Sequence, residues 1–149
     1  MAQHDWDIYF IQIAQVVASK SKDPSTKVGC VIVDSEHRPV SFGYNGFVSK
    51  CDESYMTYDR PMKYKLIIHA EMNAILFADR NALRGATIYC THQPCETCLK
   101  HILQCGIKRI VYDDPGPFVA RGSNEDRDVA ERLLNSMPYG SIECIQLLR

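Results

Sequence analysis

No apolar run in these 149 residues approaches the roughly 20 that a membrane-spanning helix needs. The first residues, Met1-Ala2-Gln3-His4-Asp5, also lack the basic stretch and apolar run of a secretory signal. The expected location is therefore the cytoplasm, with no membrane partner. An excess of either charge is missing too: 17 Lys and Arg stand against 18 Asp and Glu, a net charge of −1, with both signs mixed along the chain. Proteins that hold long nucleic acids usually carry a basic patch or stripe to neutralise several phosphates. The balance here points away from a nucleic-acid partner and toward a small, singly phosphorylated substrate. Internal repeats and low-complexity tracts are absent, and 46% hydrophobic with 23% charged residues is the composition of an ordered globular chain. The length suits one domain spanning 1–149.

Cysteine is present, but seven is an odd number in a chain without a signal, which argues against a disulfide scaffold. Two of the seven have another use. His69-Ala70-Glu71 is followed, after room for one helix and one strand, by Pro94-Cys95-Glu96-Thr97-Cys98. His69, Cys95 and Cys98 offer one imidazole and two thiolates, ligand types that zinc prefers. Three protein ligands are the number of a catalytic site, which leaves the fourth position to water or substrate. Zinc lowers the pKa of a bound water toward about 7, making a nucleophile available at neutral pH. Glu71, two residues from the histidine, sits where it can move protons without binding metal. Cys95 and Cys98 are three apart and share one face of a helical turn after Pro94, while His69 opens an apolar helical pattern through Met72, Ile75 and Leu76. Taken singly, Cys-x-x-Cys is also a redox pair and a lone histidine is often structural. Together, with the glutamate between them, they form the signature of zinc-dependent nucleobase deaminases. Cys30, Cys51, Cys90, Cys105 and Cys144 are then buried small hydrophobes or unused thiols.

The rest of the pattern supplies a scaffold. Apolar residues recur with helical period from Asp5, a candidate N-cap, to Val17. Strands are expected at 28–33 and 39–44, joined as a hairpin and closed by an Asn45-Gly46 turn. Residues 47–65 show no clear period and read as a long loop. A helix over 69–80, a strand at 86–91, a helix over 95–105, a strand at 108–112, a helix from Asn124 to 134 and a strand at 141–148 follow. Helices between the later strands imply parallel crossovers. The expectation is an α/β fold, a mixed five-stranded sheet flanked by helices in three layers, with both metal-binding segments at helix starts near one edge.

Four blocks carry a resemblance over almost the whole chain: Ser21-Lys22-Asp23-Pro24-Ser25-Thr26-Lys27-Val28-Gly29, Gly43-Tyr44-Asn45-Gly46-Phe47, His69 to Ile75, and Pro94 to Cys98. The chain resembles the deoxycytidylate deaminases. The resemblance implies the cytidine-deaminase-like fold and hydrolytic deamination of dCMP to dUMP, a supply of thymidylate precursor. It implies zinc on His69, Cys95 and Cys98. Activated water would add to C4 of cytosine while Glu71 protonates N3 and then carries a proton to the leaving amine. Substrate contacts fall on Asn45, expected at the deoxyribose, on Ser25, Thr26 and Lys27 near the sugar-phosphate, with Lys27 as the cation for the 5′-phosphate, and on Ala70. Phe118 takes a stacking role where relatives tend to carry a tyrosine.

Members of that family are commonly hexamers, activated by dCTP and inhibited by dTTP between subunits, often with magnesium. Gly43, Asn45, Gly46 and Phe47 lie in the block nearest such a regulatory site. Val48 follows that block where the family often has proline. Residues 47–65 contain only Cys51 and no histidine, so no second, structural zinc is expected. The nearest rival activity is adenosine deamination on transfer RNA, which shares both metal motifs; the rival class is a non-catalytic zinc module closed by a fourth protein ligand.

Overall fold

The run Gly29-Cys30-Val31-Ile32-Val33 is buried at all five positions, as a strand covered on both faces must be. The computed structural model describes residues 2–116 and 122–149. In it this run is β1 (Gly29–Val33), antiparallel to β2 (Pro39–Tyr44) on one side and to β3 (Thr87–His92) on the other. Two further strands, β4 (Arg109–Asp114) and β5 (Glu143–Gln146), continue in parallel, so the sheet order is β2-β1-β3-β4-β5. The mixed five-stranded sheet expected from the sequence is present, with its hairpin first and its crossovers later.

Helix α1 (Gln3–Ala18) covers one face; α3 (Ala70–Leu76), α4 (Glu96–Gln104) and α5 (Asn124–Ser136) cover the other, and α2 (Lys63–Leu66) is a single turn before α3. The pleat divides the side chains between the two faces. Val31, Val33, Tyr89 and Val111 pack on Phe10, Ile11, Ala14 and Val17 of α1. Cys30, Ile32, Ile88, Cys90 and Ile110 pack on Ala70, Ala74, Leu99, Ile102 and Ala130. Two glycines set the spacing of the layers. A Cβ at Gly29 would collide with the backbone of Ala14 and Ala18, and one at Gly43 with that of Ala70 and Ala74. Gly43 therefore lets α3 lie directly on the sheet, and this residue, expected near a regulatory site, occupies a buried packing position.

Strands β2 and β3 both run antiparallel to β1, and β4 runs parallel to β3. The carboxyl ends of β2, β3 and β4 hence share one edge of the sheet with the segment that leads into β1. Both segments expected to bind metal leave from that edge.

Several local boundaries differ from expectation. The chain enters α1 at Ala2, and Asp5 lies in the first turn instead of capping it. Ser123, not Asn124, caps α5: its hydroxyl accepts from the Asp126 amide while the Asp126 carboxylate accepts from the Ser123 amide. The helix expected over 69–80 ends at Leu76, because Asp79 accepts a hydrogen bond from the Asn81 amide and opens a separate 3₁₀ turn, Arg80–Leu83. The long loop contains a 3₁₀ turn at Glu53–Tyr55 as well as α2.

Under α1, Arg109 grips the buried Asp7 with two bonds of 2.6 and 2.7 Å, and the Tyr89 hydroxyl donates to the same carboxylate at 2.7 Å. Burial opposes ionisation of Asp7, but these bonds, with help from Gln3, hold its carboxyl below the ordinary 3.8. A group whose folded value is depressed adds stability that is fully present above its ordinary value and is lost as pH falls through the folded one. Asp7→Asn should cost about 3 kcal/mol at pH 7, by leaving the guanidinium short of its main counter-charge. Urea unfolding at pH 7 and again near pH 3 should show the gap between variant and wild type closing in acid.

Candidate active site

Each of the two motifs is placed by a helix start. His69 is the N-cap of α3, and Cys95 the N-cap of α4, with Pro94 one residue before the cap. The register of the approach to α3 is fixed by Gly46 and Ile68, whose backbones exchange two hydrogen bonds of 3.1 and 2.7 Å. On the other side, Gln93 donates its amide to the Asp114 carbonyl at 2.8 Å, which holds the end of β3 as it turns into α4. His69 Nδ1 then stands 3.3 Å from Cys98 Sγ and 3.6 Å from Cys95 Sγ. All three candidate ligand atoms lie within 4.8 Å of one another.

These separations fit a zinc ion. With Zn–N near 2.0 Å and Zn–S near 2.3 Å, a tetrahedral site has an N···S edge of about 3.5 Å, between the two observed distances. The donor set also has the right acid-base character. Cys95 is pulled down to about 4 by the hydrogen bond from Cys98, against burial, with His69 assisting. Cys98 is pushed far up by that same partnership and by burial, so the two sulfurs share one proton. His69 rises to about 9, chiefly through its bond to Cys95, with burial opposing and Glu71 adding to the rise. A metal ion entering this set must displace protons.

Glu71, in the first turn of α3, is only 5% exposed. Burial lifts its carboxyl above the ordinary glutamate value, and His69 opposes the lift. Its floor is formed by Cys30 and Cys90, directly paired across β1 and β3, whose sulfurs lie within 4.8 Å of a Glu71 oxygen. From the sequence these two read as buried small hydrophobes or unused thiols; both are buried in the core, and the strand register brings them under the glutamate.

His69, Glu71, Cys95 and Cys98 open into a cavity of about 840 Å³, which Asp23, Thr26, Asn45, Lys63, Ala70 and His92 also line. The remaining expected substrate residues fare differently. Asn45 spends its amide on the protein: Oδ1 accepts from the Val28 amide at 2.9 Å, and Nδ2 donates to the Thr26 carbonyl at 2.8 Å. Ser21 Oγ also donates to the Asn45 carbonyl at 2.8 Å. Asn45 thus shapes the loop before β1 while lining the cavity. Ser25 is exposed, and its hydroxyl is tied to Asp23, Lys63 and Arg60. Lys27 is exposed and is not among the residues lining the cavity. Phe118 lies outside the described residues. His101, which the sequence places one turn past Cys98, bonds back to the Thr97 carbonyl at 2.6 Å on the exposed side of α4. Arg80 donates to the Cys105 carbonyl at 2.9 Å, so it caps α4.

A layered sheet with an imidazole, two thiols and a buried glutamate gathered at its carboxyl edge has the architecture of the zinc-dependent deaminases. The fold agrees: the crystal structure of dCMP deaminase from the cyanophage S-TIM5, in apo form, matches with a TM-score of 0.69 at 23% identity, covering 98% of this chain and 99% of that one. The chain belongs to the cytidine and deoxycytidylate deaminase family, whose zinc-binding region matches residues 4–113. The deoxycytidylate deaminase of Homo sapiens is 34% identical over 139 residues, 89% of this chain and 75% of that protein. An uncharacterised deaminase of Aliivibrio fischeri is 47% identical over 105 residues, 70% of each chain.

The proton competition gives a test of the metal set. Zinc affinity, measured against a competing chelator, should tighten as pH rises from 6 toward 9, by up to about tenfold per unit for each proton displaced. Cys98→Ser should lose zinc at a chelator concentration that leaves the wild type loaded; equal retention would remove Cys98 from the ligand set.

Proposed function

We propose that the chain hydrolyses dCMP to dUMP and ammonia, with His69, Cys95 and Cys98 holding one zinc ion and Glu71 moving the protons. The observation that carries this reading is a buried glutamate on the turn that follows the imidazole of an N,S,S set, inside a cavity large enough for a nucleotide. Relatives named deoxycytidylate deaminase support the choice of nucleotide, and a dCMP deaminase of the same fold has been solved with dCMP and dUMP.

When bound, zinc supplies an activated water. The protein residues do the rest. Glu71, itself buried, delivers a proton to ring nitrogen N3 as C4 becomes tetrahedral, so charge does not build on the pyrimidine. The carboxylate left behind takes the hydroxyl proton and passes it to the exocyclic amine, which leaves as ammonia. A carboxyl lifted by burial suits both halves of this cycle, since it neither keeps nor surrenders its proton too firmly. Ala70 has no side chain beyond Cβ, so the first turn of α3 lets the ring approach. Thr26 lies on the cavity wall before β1, which supports its assignment to the sugar.

Allosteric control by dCTP and dTTP, assembly into a hexamer and a cytoplasmic location complete the reading. A second cavity of about 550 Å³ supports the regulatory part. It is lined by Asn45, Gly46, Phe47 and Tyr58 with Lys20, Lys22 and Lys50, and the rings of Phe47 and Tyr58 lie 4.7 Å apart. Lysines suit a triphosphate, and magnesium would accompany it. Asn45 lines both cavities, and Gly46 is bonded to the residue before His69, so a ligand there presses on the same loop that sets the metal ligand. Opposite effects of two nucleotides require that they favour different subunit arrangements.

Loss of cytosine absorbance with dCMP, deoxycytidine, CMP and dCTP as substrates tests the chemistry directly; zinc-loaded protein inert toward all four would overturn it. Glu71→Gln should keep its fold and zinc while losing about 10²- to 10⁴-fold in kcat. Lys50→Glu should blunt any dCTP activation with little change in unstimulated turnover, and a response identical to wild type would take the second cavity out of regulation.

A further inference from the structure

Three cationic side chains come near the 23–27 loop, and they deliver their charge to different places. Lys27 faces solvent. Lys63, from α2, is 5% exposed and yet lines the active-site cavity. Among the described residues lining that cavity it is the only lysine or arginine, while Asp23, Glu71, Glu96 and Asp126 share the wall. An anionic group entering such a space needs a fixed cation to meet it.

An ammonium has three donors. Lys63 Nζ gives one to Asp23 Oδ2 at 2.7 Å and one to Ser25 Oγ at 3.0 Å. The third remains for the cavity. Asp23 is fully occupied in holding its own loop, since Oδ1 also accepts from the amides of Ser25 and Thr26 at 2.9 and 3.2 Å. Neutralising that buried carboxylate would explain Lys63 by itself. It does not explain Arg60, which brings a second positive charge to the same point: its Nη2 donates to Ser25 Oγ at 3.3 Å, and its guanidinium sits 5.8 Å from the Tyr64 ring centre. Arg60 is exposed and outside the cavity lining, so it acts through Ser25. At that point one carboxylate with two cations leaves a local charge of about +1, apart from the Glu96 and Asp126 carboxylates elsewhere on the wall, a charge-assisted setting for a phosphate.

We infer that Lys63, steadied by Asp23 and Ser25 and seconded by Arg60, receives the 5′-phosphate of the nucleotide, the role that sequence reasoning gave to Lys27. This rests on the nucleotide deamination proposed above. The long segment before α3 then does more than connect: it brings the group that distinguishes a nucleotide from a nucleoside.

The test is steady-state deamination of dCMP and of deoxycytidine by the zinc-loaded 149-residue chain and its variants, with zinc content and thermal melting measured alongside. Arg60→Ala, at an exposed position, should raise KM for dCMP by about tenfold and leave kcat/KM for deoxycytidine within about twofold; Arg60→Lys should recover part of the loss. Lys63→Met should lower kcat/KM for dCMP by about 100-fold and act far less on deoxycytidine. Added salt should raise the wild-type KM for dCMP more than that of either variant. Equal losses on both substrates in Lys63→Met, with Arg60→Ala silent, would reduce the cluster to a loop staple and overturn the inference. So would a rise in KM for dCMP in Lys27→Ala that Arg60→Ala does not share. Loaded wild type that turns over neither substrate would instead remove the deaminase reading, and this inference with it; a wild type active on both, with the variants silent, removes the inference alone.

Discussion

Two helices must begin within a few ångströms of each other, and most of the molecule serves that requirement. An N-cap residue has extended backbone and projects its side chain over the open end of its helix, where unpaired amides favour negative charge. His69 and Cys95 both occupy that position. One helix end would set one ligand; only a sheet in which β2 and β3 finish at the same edge can set both. The order β2-β1-β3, with β1 reversed between its neighbours, provides this, and Gly43 allows α3 to sit low enough on the sheet to meet α4.

The loop before β1 is the second half of the construction. It has no regular structure of its own, and it is held by Asn45 from β2's end and by Asp23 from within. Two residues that sequence patterns place in separate motifs thus form one bonded unit, with the backbone of residues 25–28 as its product. The cavity owes its shape on this side to amide and carboxylate groups already satisfied by protein, which keeps the wall rigid when a ligand arrives.

The sequence was most informative where a local pattern coincides with a local structure. The β-branched run of β1, the alternation of strands and helices and the Cys-x-x-Cys turn all follow from residues close together in the chain. The family blocks carried the substrate assignment, which spacing alone did not supply. Local competition hid some boundaries: the apolar period continues past Leu76, but Asp79 finds a better bond in a 3₁₀ turn. Contacts between distant residues were invisible. Lys63 meets Ser25 across 38 positions and Tyr89 meets Asp7 across 82, and no periodicity in either segment announces the partner. Cys30 and Cys90 acquired a meaning only from the register of β1 on β3.

The sheet separates two kinds of work. Helix α1 with its Asp7, Tyr89 and Arg109 cluster lies against one side, and every candidate metal or proton-handling side chain lies on the other or at the carboxyl edge. A substitution in α1 therefore acts on anchoring strength, while one in α3 or α4 acts on the geometry of the candidate site as well. The back of the sheet can thus be reinforced without touching the front, and the two faces can be engineered separately.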